Sequence, residues 1–343
     1  MGIRGEPSTP GDPSHGYVWS AIIIQVDQPG SQSEFVSVAD SPRELFHKHP
    51  WSIGGGGIAE LKDSLDYVRG SQLGKHLDVV GPMVIMGLEE VFVGPKNFCK
   101  RLKTKFLPYL AGDQIRDWRL YDELYIVYPY DPQRQVVQLS QTGRFEVLAY
   151  TYRTYLKQRT MFGKTPSESG LSWYEYRYFE KSRAATLPLI TFAYVSTHNQ
   201  FSYLNESVIA NQHATVMRLS KNRSEEDYFR ILGLLNSSTA CFWMKQVFHN
   251  KGSTVDEKGA RQTTVAFENF YEFTGTGLQQ FPVTPETPID LAINLDRLAQ
   301  VWQRCLPLQL AASFPLSQTL LVEHKDKAAN LLGRMVALQE ELD

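Results

Sequence analysis

Residues 224–248 constrain the fold of this chain more than any other stretch. Ser224 stands before three acidic residues, which is typical of a helix start, because a hydroxyl caps the first turn and carboxylates favour its positive end. Apolar side chains then recur at helical spacing, stop at the polar residues 236–238, and resume after them. The pattern predicts two short buried helices that meet at a polar joint.

A polar, basic and glycine-bearing segment, residues 249–254, follows these helices and is expected to be a loop. Two core helices that deliver such a loop are a suitable scaffold for contacts with a phosphate backbone. They are also an ordinary helix–loop connection, and the pattern alone favours that simpler interpretation.

Size and composition bound the class of protein. At 343 residues and 39.1 kDa, the chain can bury a sizeable core in two domains or one elaborated domain. A charged fraction of 21% and a hydrophobic fraction of 42% are typical of a globular protein. The net charge of −2 argues against a protein that coats nucleic acid nonspecifically, and it leaves room for one local basic face.

The cysteines and the hydropathy pattern indicate the compartment. Cys99, Cys241 and Cys305 are far apart and without metal-binding spacing, so a reducing cytoplasm is the expected location. No signal peptide opens the chain, and the apolar run at residues 21–24 is too short to cross a membrane. We expect no membrane partner.

Periodicity and turn residues predict an α+β protein with mixed or antiparallel sheets, short core helices and a C-terminal helical pair. Strands are expected at residues 17–26, 34–38, 79–86, 90–93, 123–128, 188–195, 200–204 and 214–219, the last three as a meander. Helices are expected at residues 58–68, around 96–105, and at 145–158, 288–305 and 317–342. The proposed division is a lead region (1–145), a central region (146–281) and a C-terminal helical segment (282–343).

Motifs for catalysis and cofactor binding are absent from the sequence. The histidines lack the spacing of known metal sites, and no Gly-x-Ser-x-Gly nucleophile elbow occurs. Four glycines at residues 54–57 lack the Lys-Ser/Thr of a Walker loop and the preceding strand of a dinucleotide loop. We therefore predict no catalytic residue, no metal ligand and no cofactor-binding residue in this chain.

Cations and aromatic rings interleave in two groups that favour nucleic-acid binding. The first group is Arg159, Lys164, Arg177, Lys181 and Arg183; the second is His198, Asn199, Lys245, Asn250, Lys251 and Arg261. Arginine and lysine match phosphates and guanine edges, asparagine matches adenine, and aromatic rings stack on bases. Each residue alone is more often a surface charge, and the clustering in loops is what favours a binding site.

Seven segments carry a resemblance to a known family. They are GIRGEP (2–7), HPWSIGGGG (49–57), RDWR (116–119), PLITFAYVSTHN (188–199), LLNSSTACFW (234–243), FYEFTGT (270–276) and RMVALQEELD (334–343). Together they resemble the region that follows the catalytic domain in BREX-system adenine-specific DNA methyltransferases of the PglX type. The resemblance implies a phage-defence protein whose enzyme methylates adenine in a short DNA sequence.

The chain departs from that family at its catalytic motif. Adenine methyltransferases need an Asn/Asp-Pro-Pro-Tyr/Phe motif to hold a flipped base, and the nearest string here, Tyr128-Pro129-Tyr130, does not qualify. The glycine-rich S-adenosylmethionine loop is also missing. The chain is therefore interpreted as the target-recognition half, without methyl-transfer activity alone. S-adenosylmethionine is expected only with the catalytic half.

The resemblance and the two groups together give a hypothesis for partners. Double-stranded DNA and the catalytic half are the expected partners, with other BREX proteins or a phage inhibitor as further ones. Phosphate or guanine contacts are expected from Arg159, Lys164, Lys245, Lys251 and Arg261, and base contacts from His198, Asn199 and Asn250. A protein-interaction scaffold without DNA contact stays open, as does, more weakly, a hydrolase with an unrecognised site.

Overall fold

The computed structural model describes residues 16–33, 36–40, 42–47, 57–67, 70–116, 118–120, 124–252, 269–313, 315 and 317–343. Its helices are α1 (Tyr17–Gln25), α2 (Ile58–Asp66), α3 (Glu89–Phe92), α4 (Lys96–Arg101), α5 (Phe145–Thr151), α6 (Arg153–Gln158), α7 (Glu225–Leu235), α8 (Ser238–Val247), α9 (Gly275–Leu278), α10 (Ile289–Gln303), α11 (Pro307–Ser313) and α12 (Gln318–Leu342).

The strands are β1 (Ser71–Gln72), β2 (Leu77–Gly81), β3 (Val84–Ile85), β4 (Val93–Gly94), β5 (Phe106–Leu110), β6 (Ile115–Arg116), β7 (Arg119–Leu120), β8 (Leu124–Val127), β9 (Tyr178–Phe179), β10 (Leu189–Ala193), β11 (Val195–Ser196), β12 (Phe201–Leu204), β13 (Ile209–Ala210), β14 (Ala214–Leu219), β15 (His249–Gly252), β16 (Phe270–Glu272) and β17 (Pro282–Val283). Small antiparallel and mixed sheets with short helices confirm the α+β class.

A four-stranded antiparallel sheet in the order β12-β10-β14-β2 lies at the centre. Successive side chains of a strand point to opposite faces. Accordingly, Ile190 and Met217 join one hydrophobic core, whereas Leu189 and Val216 join another. The sheet therefore separates two cores, which explains why every residue of β10 is buried.

The two cores have different composition. The helical core lies between one sheet face and helices α7, α8, α10 and α12, with Trp243 and Met335 among its members. The sheet core contains residues of the β13-β5-β8-β4 sheet together with Phe145 of α5. The division at residues 145 and 281 stays a prediction, and it does not coincide with these cores: Leu73 of the lead region lies in the helical core beside residues of α7.

Long amphipathic patterns gave the correct elements. The two central helices α7 and α8 and the C-terminal helices α10 and α12 lie where they are predicted, with α11 between the last two. The helix predicted at residues 145–158 is interrupted at Tyr152, which separates α5 from α6. All three predicted meander strands exist, but β10 lies between β12 and β14, so their spatial order is not that of a meander.

Three predictions from short segments are wrong. Residues 17–26 form helix α1 rather than a strand, although three consecutive isoleucines favour a strand by propensity. Residues 90–93 lie mainly in helix α3. Residues 249–252 of the predicted loop form strand β15, and its residues 253 and 254 lie outside the described residues. The strand predicted at 34–38 includes residues 34 and 35, which lie outside the described residues.

Candidate functional site

Helices α7 and α8 both begin at a capping serine, and the second of these caps lies in the joint between them. The Ser224 hydroxyl accepts the N–H of Asp227 at 3.2 Å, and the Asp227 carboxylate accepts the N–H of Ser224 at 2.9 Å. At the second helix, the Ser237 hydroxyl accepts the N–H of Ala240 at 3.1 Å. Reciprocal capping satisfies donors that every helix start leaves unpaired, so the position of the joint is set locally.

Two asparagines, which we call the asparagine lock, attach the joint to the central sheet. The Asn236 side chain accepts the N–H of Phe201 at 3.0 Å and donates to its carbonyl at 2.9 Å. In return, the Asn199 amide nitrogen donates to the carbonyls of Leu235 at 2.7 Å and Ser237 at 3.0 Å. The amide nitrogen of Asn199, which is expected to contact a base, therefore donates to backbone carbonyls within the fold.

The last turns of α12 brace the same joint. Gln339 donates to the carbonyl of Asn236 at 3.1 Å and accepts the indole N–H of Trp118 at 2.9 Å. The carboxylate of Asp343 accepts the N–H of Ser238 at 2.9 Å, at the start of α8. The C-terminal helix therefore links the helical pair to the segment around residue 118.

A three-stranded antiparallel sheet in the order β11-β16-β15 projects its polar residues next to the end of α8. Tyr271 of β16 is paired with Asn250 of β15, whose amide nitrogen lies 3.4 Å from the Tyr271 hydroxyl. The Lys245 ammonium lies 5.6 Å from the centroid of the same ring, within cation–π range. We call Lys245, Asn250, Tyr271 and the neighbouring His198 the Tyr271 platform.

The electrostatics of the platform are set by neighbouring groups. Partial desolvation, and then the charge of Lys245, lowers the pKa of His198, so its imidazole is neutral at pH 7. Lys251 forms an ion pair with Glu272 at 2.8 Å, and the Tyr194 hydroxyl donates to the same carboxylate at 2.6 Å. These two hydrogen bonds lower the pKa of Glu272, which therefore stays ionised and neutralises Lys251.

The first predicted group contains two arginines that are buried. Arg159 is 7% exposed, and its guanidinium donates to the carbonyls of Met86, Trp173 and Glu175, the last two at 2.9 Å. Arg177 is 5% exposed and donates to the carbonyl of Lys164 at 2.7 Å. Burial lowers the pKa of Arg159 to about 10 and lowers that of Arg177. Both guanidiniums hold loop backbone in place.

Of the other three residues in this group, Arg183 stabilises the fold and the two lysines lie on the surface. Arg183 donates to the carbonyls of Pro82 and Val80, the second at 3.3 Å, and so joins the loop to the end of β2. Lys164 and Lys181 have exposed side chains.

The structure thus brings His198, Lys245, Asn250 and Lys251 together around one sheet, and keeps Arg159, Arg177 and Arg183 in a separate loop region. Arg261 lies outside the described residues. The DNA contacts assigned to all of these residues stay predictions. Sequence reasoning missed Tyr271 and Tyr194. The motif FYEFTGT contains Tyr271, but its pairing with Asn250, 21 positions earlier, gives no local signal.

The described residues include neither a metal-ligand cluster nor a membrane-spanning helix. They contain no group of three His, Cys, Asp or Glu side chains placed to hold a metal ion. None of the helices in the described part of the chain is long and apolar enough to cross a membrane.

Comparison with known proteins finds a related sequence. No family profile matches the chain. The chain is 36% identical over 347 residues to Adenine-specific methyltransferase PglX of Streptomyces coelicolor, a match that covers 99% of this chain and 29% of that protein. The chain therefore spans less than a third of the length of this relative.

Two solved structures are similar at 12% identity. The type IIL restriction-modification enzyme MmeI in complex with DNA gives a TM-score of 0.44 over 80% of this chain and 33% of its own. The type IIG restriction endonuclease BpuSI gives 0.46 over 94% of this chain and 38% of its own. By its identity to PglX over nearly all of its length, the chain is related to a part of the PglX-type adenine-specific methyltransferases, as its motifs predict.

Proposed function

We propose that this chain recognises double-stranded DNA for a PglX-type adenine-specific DNA methyltransferase of a BREX phage-defence system. Methyl transfer from S-adenosylmethionine belongs, in this proposal, to a catalytic half outside these 343 residues. The identity to PglX supports the connection to adenine methylation, and the lack of an Asn/Asp-Pro-Pro-Tyr/Phe motif supports the division of labour.

The Tyr271 platform is the observation that carries the DNA assignment. It brings together a cation of α8, an amide of β15, an aromatic ring of β16 and a neutral imidazole beside them, and its Asn250 and His198 side chains are exposed. Lysine attracts phosphate, whereas amide and imidazole groups form hydrogen bonds with base edges. Because Glu272 neutralises Lys251, Lys245 is the principal charge of the platform.

The hydrogen bonds of Asn250 within the protein indicate which of its side-chain atoms can contact a base. Its side-chain oxygen already accepts the N–H of Gly252 at 2.7 Å, which stabilises the irregular end of β15. Its amide nitrogen is held only at 3.4 Å by Tyr271. We therefore assign the amide nitrogen as a donor to a base acceptor, such as the N7 or O6 atom of guanine.

The lead region supplies a surface for the catalytic half. Helix α1 leaves Tyr17, Ile23 and Ile24 exposed, and Tyr67 at the end of α2 is also exposed. Exposed apolar side chains that share one helix, as in α1, are typical of protein–protein contact surfaces. Free Cys99, Cys241 and Cys305 accord with the reducing cytoplasm in which such an enzyme would act.

The test begins with selection of preferred duplexes from a random pool by the 343-residue chain, followed by anisotropy titrations on selected and scrambled duplexes. Asn250→Asp keeps the acceptor for Gly252 and removes the donor. It should reduce the preference for the selected duplex by about 1–3 kcal/mol, while its added charge weakens both duplexes alike. Lys245→Ala should weaken both duplexes similarly and lower the salt slope by about 1.

Lys327→Ala, which removes an exposed lysine of α12, is the matched control and should leave binding unchanged. Wild-type preference in both platform variants would reject the platform as the reader. A chain that enriches no duplex and binds only the catalytic half would favour the scaffold alternative.

A further inference from the structure

A two-residue turn presents one aromatic ring to solvent. Met161 and Lys164 pair as in a hairpin, with reciprocal N–H to carbonyl bonds of 2.9 and 3.1 Å. Phe162 and Gly163, at the tip, have φ angles of 50° and 75°. The Phe162 side chain is 94% exposed. We call residues 161–164 the Phe162 finger.

Phe162 contributes little to the fold at this position. Turns with positive φ at both central residues favour Asn-Gly, because asparagine tolerates the left-handed region and a bulky side chain does not. An apolar ring left in water also gains no burial energy. A residue that is unfavourable for both the turn and the surface points to a contact made outside this chain.

The base of the finger is rigid. Arg159, just before it, ties three loop carbonyls together, and Arg177 holds the carbonyl of Lys164 at its other end. The aliphatic parts of both side chains lie against Gly87, because a Cβ added there would be 3.2 Å from Arg177 Cγ and 3.4 Å from Arg159 Cδ. Two desolvated arginines thus fix a turn that itself buries almost nothing, which pre-organises the ring.

The surroundings of the finger are cationic. Residues 147–167 contain four cations and no acidic residue, although the whole chain has a net charge of −2. Lys157 and Lys164 are exposed, and Tyr155 of helix α6 is 66% exposed. Glu168, the next acid along the chain, is held by the N–H and hydroxyl of Thr165, both at 2.7 Å.

We propose that the Phe162 finger inserts its ring between neighbouring base pairs of the bound duplex, while Lys157 and Lys164 contact the flanking phosphates. This inference rests on the proposed DNA function and adds a mechanical role to it. Apolar side chains act as wedges in many DNA complexes, where they unstack a base step and kink the duplex. A rigid support is required for this role, since a mobile ring would fold back instead of separating bases.

Plasmid topology tests the wedge without knowledge of the recognised sequence. A relaxed plasmid is incubated with saturating 343-residue chain, treated with topoisomerase I, deproteinised and separated by topoisomer. Unstacking by the wedge changes the twist of each bound site, so wild-type chain should shift the distribution. Phe162→Ala should still bind the plasmid but leave the topoisomer distribution unshifted. Its affinity should fall by less than about tenfold, because the energy gained when the ring stacks on the bases is largely offset by the cost of separating them.

Two further variants and a control complete the design. Phe162→Trp should keep the shift, since it offers a larger ring. Phe162→Asn should abolish the shift and raise the melting temperature, because asparagine suits the turn. Val322→Ala removes an exposed apolar side chain of α12 and should behave as wild type.

The outcomes separate the two proposals. If wild-type chain fails to bind duplex DNA at low salt, the proposed function fails, and the wedge fails with it. If wild-type chain binds but leaves topology unchanged, or if Phe162→Ala shifts it as wild type does, only the wedge is overturned. If Phe162→Ala loses binding to the catalytic half but shifts plasmid topology as wild type does, the finger is a protein contact and the wedge is overturned.

Discussion

Replacement of Asn236 by alanine should destabilise the protein through two lost backbone partners. Its side chain satisfies both the N–H and the carbonyl of Phe201, at 3.0 and 2.9 Å, on the outer edge of β12. A buried polar group left without a partner costs about 1–3 kcal/mol. Asn236 is only partly buried, so water can replace some of the loss, and we expect about 2–4 kcal/mol in total.

Asn236→Asp separates the hydrogen bonds from the size of the side chain. The carboxylate keeps the bond to the N–H of Phe201 but sets an oxygen against its carbonyl, so the loss should equal or exceed that of Asn236→Ala. Urea unfolding followed by tryptophan fluorescence measures both, and exposed Asn330→Ala is the matched control. Hydrogen exchange at the Phe201 amide should accelerate in both variants. Destabilisation by less than about 0.5 kcal/mol, the range of ordinary surface changes, would refute the lock.

Two other stability predictions follow from buried charges. Arg159→Lys should lower the free energy of unfolding, measured by urea denaturation, by about 2–4 kcal/mol, because one ammonium cannot replace a guanidinium fork on the carbonyls of Met86, Trp173 and Glu175. A variant as stable as wild type would contradict this. Burial, opposed by the Gln300 hydrogen bond and aided by the Glu225 charge, raises the pKa of Asp296 from 3.8 to about 7. Because the folded state then holds its proton more tightly than the unfolded state, stability should fall as pH rises from about 4 to 7, by up to about 4 kcal/mol, and level off above. Asp296→Asn should flatten this profile in pH-dependent melting, and an unchanged slope would reject the assignment.

The sequence predicts the parts of the fold that depend on local patterns. Ser224 and Ser237 are followed by long amphipathic runs, so the helical pair and its joint were found at the correct residues. Short segments were less informative, since the isoleucines of α1 favour a strand by propensity and yet no sheet is available to pair with them in the described chain.

The candidate site was less predictable because the partner of a polar side chain depends on tertiary contacts. Arg159 and Lys164 look alike in sequence, yet one is buried on carbonyls from distant segments and the other is exposed. Asn199 and Asn250 differ in the same way, since the first closes the helix joint and the second lies on an exposed strand. The interleaved pattern indicates candidate segments, but it does not determine the role of each residue.

The central claim is that this chain binds duplex DNA through its surface cations, and the salt dependence of binding by the wild-type chain tests it most directly. Each phosphate contact contributes a slope of about −0.9 to the logarithm of the binding constant against that of salt concentration. Three or more contacts from lysines such as Lys164 and Lys245 therefore predict a slope steeper than about −2.7. A slope near zero, or no binding at low salt, would contradict the account.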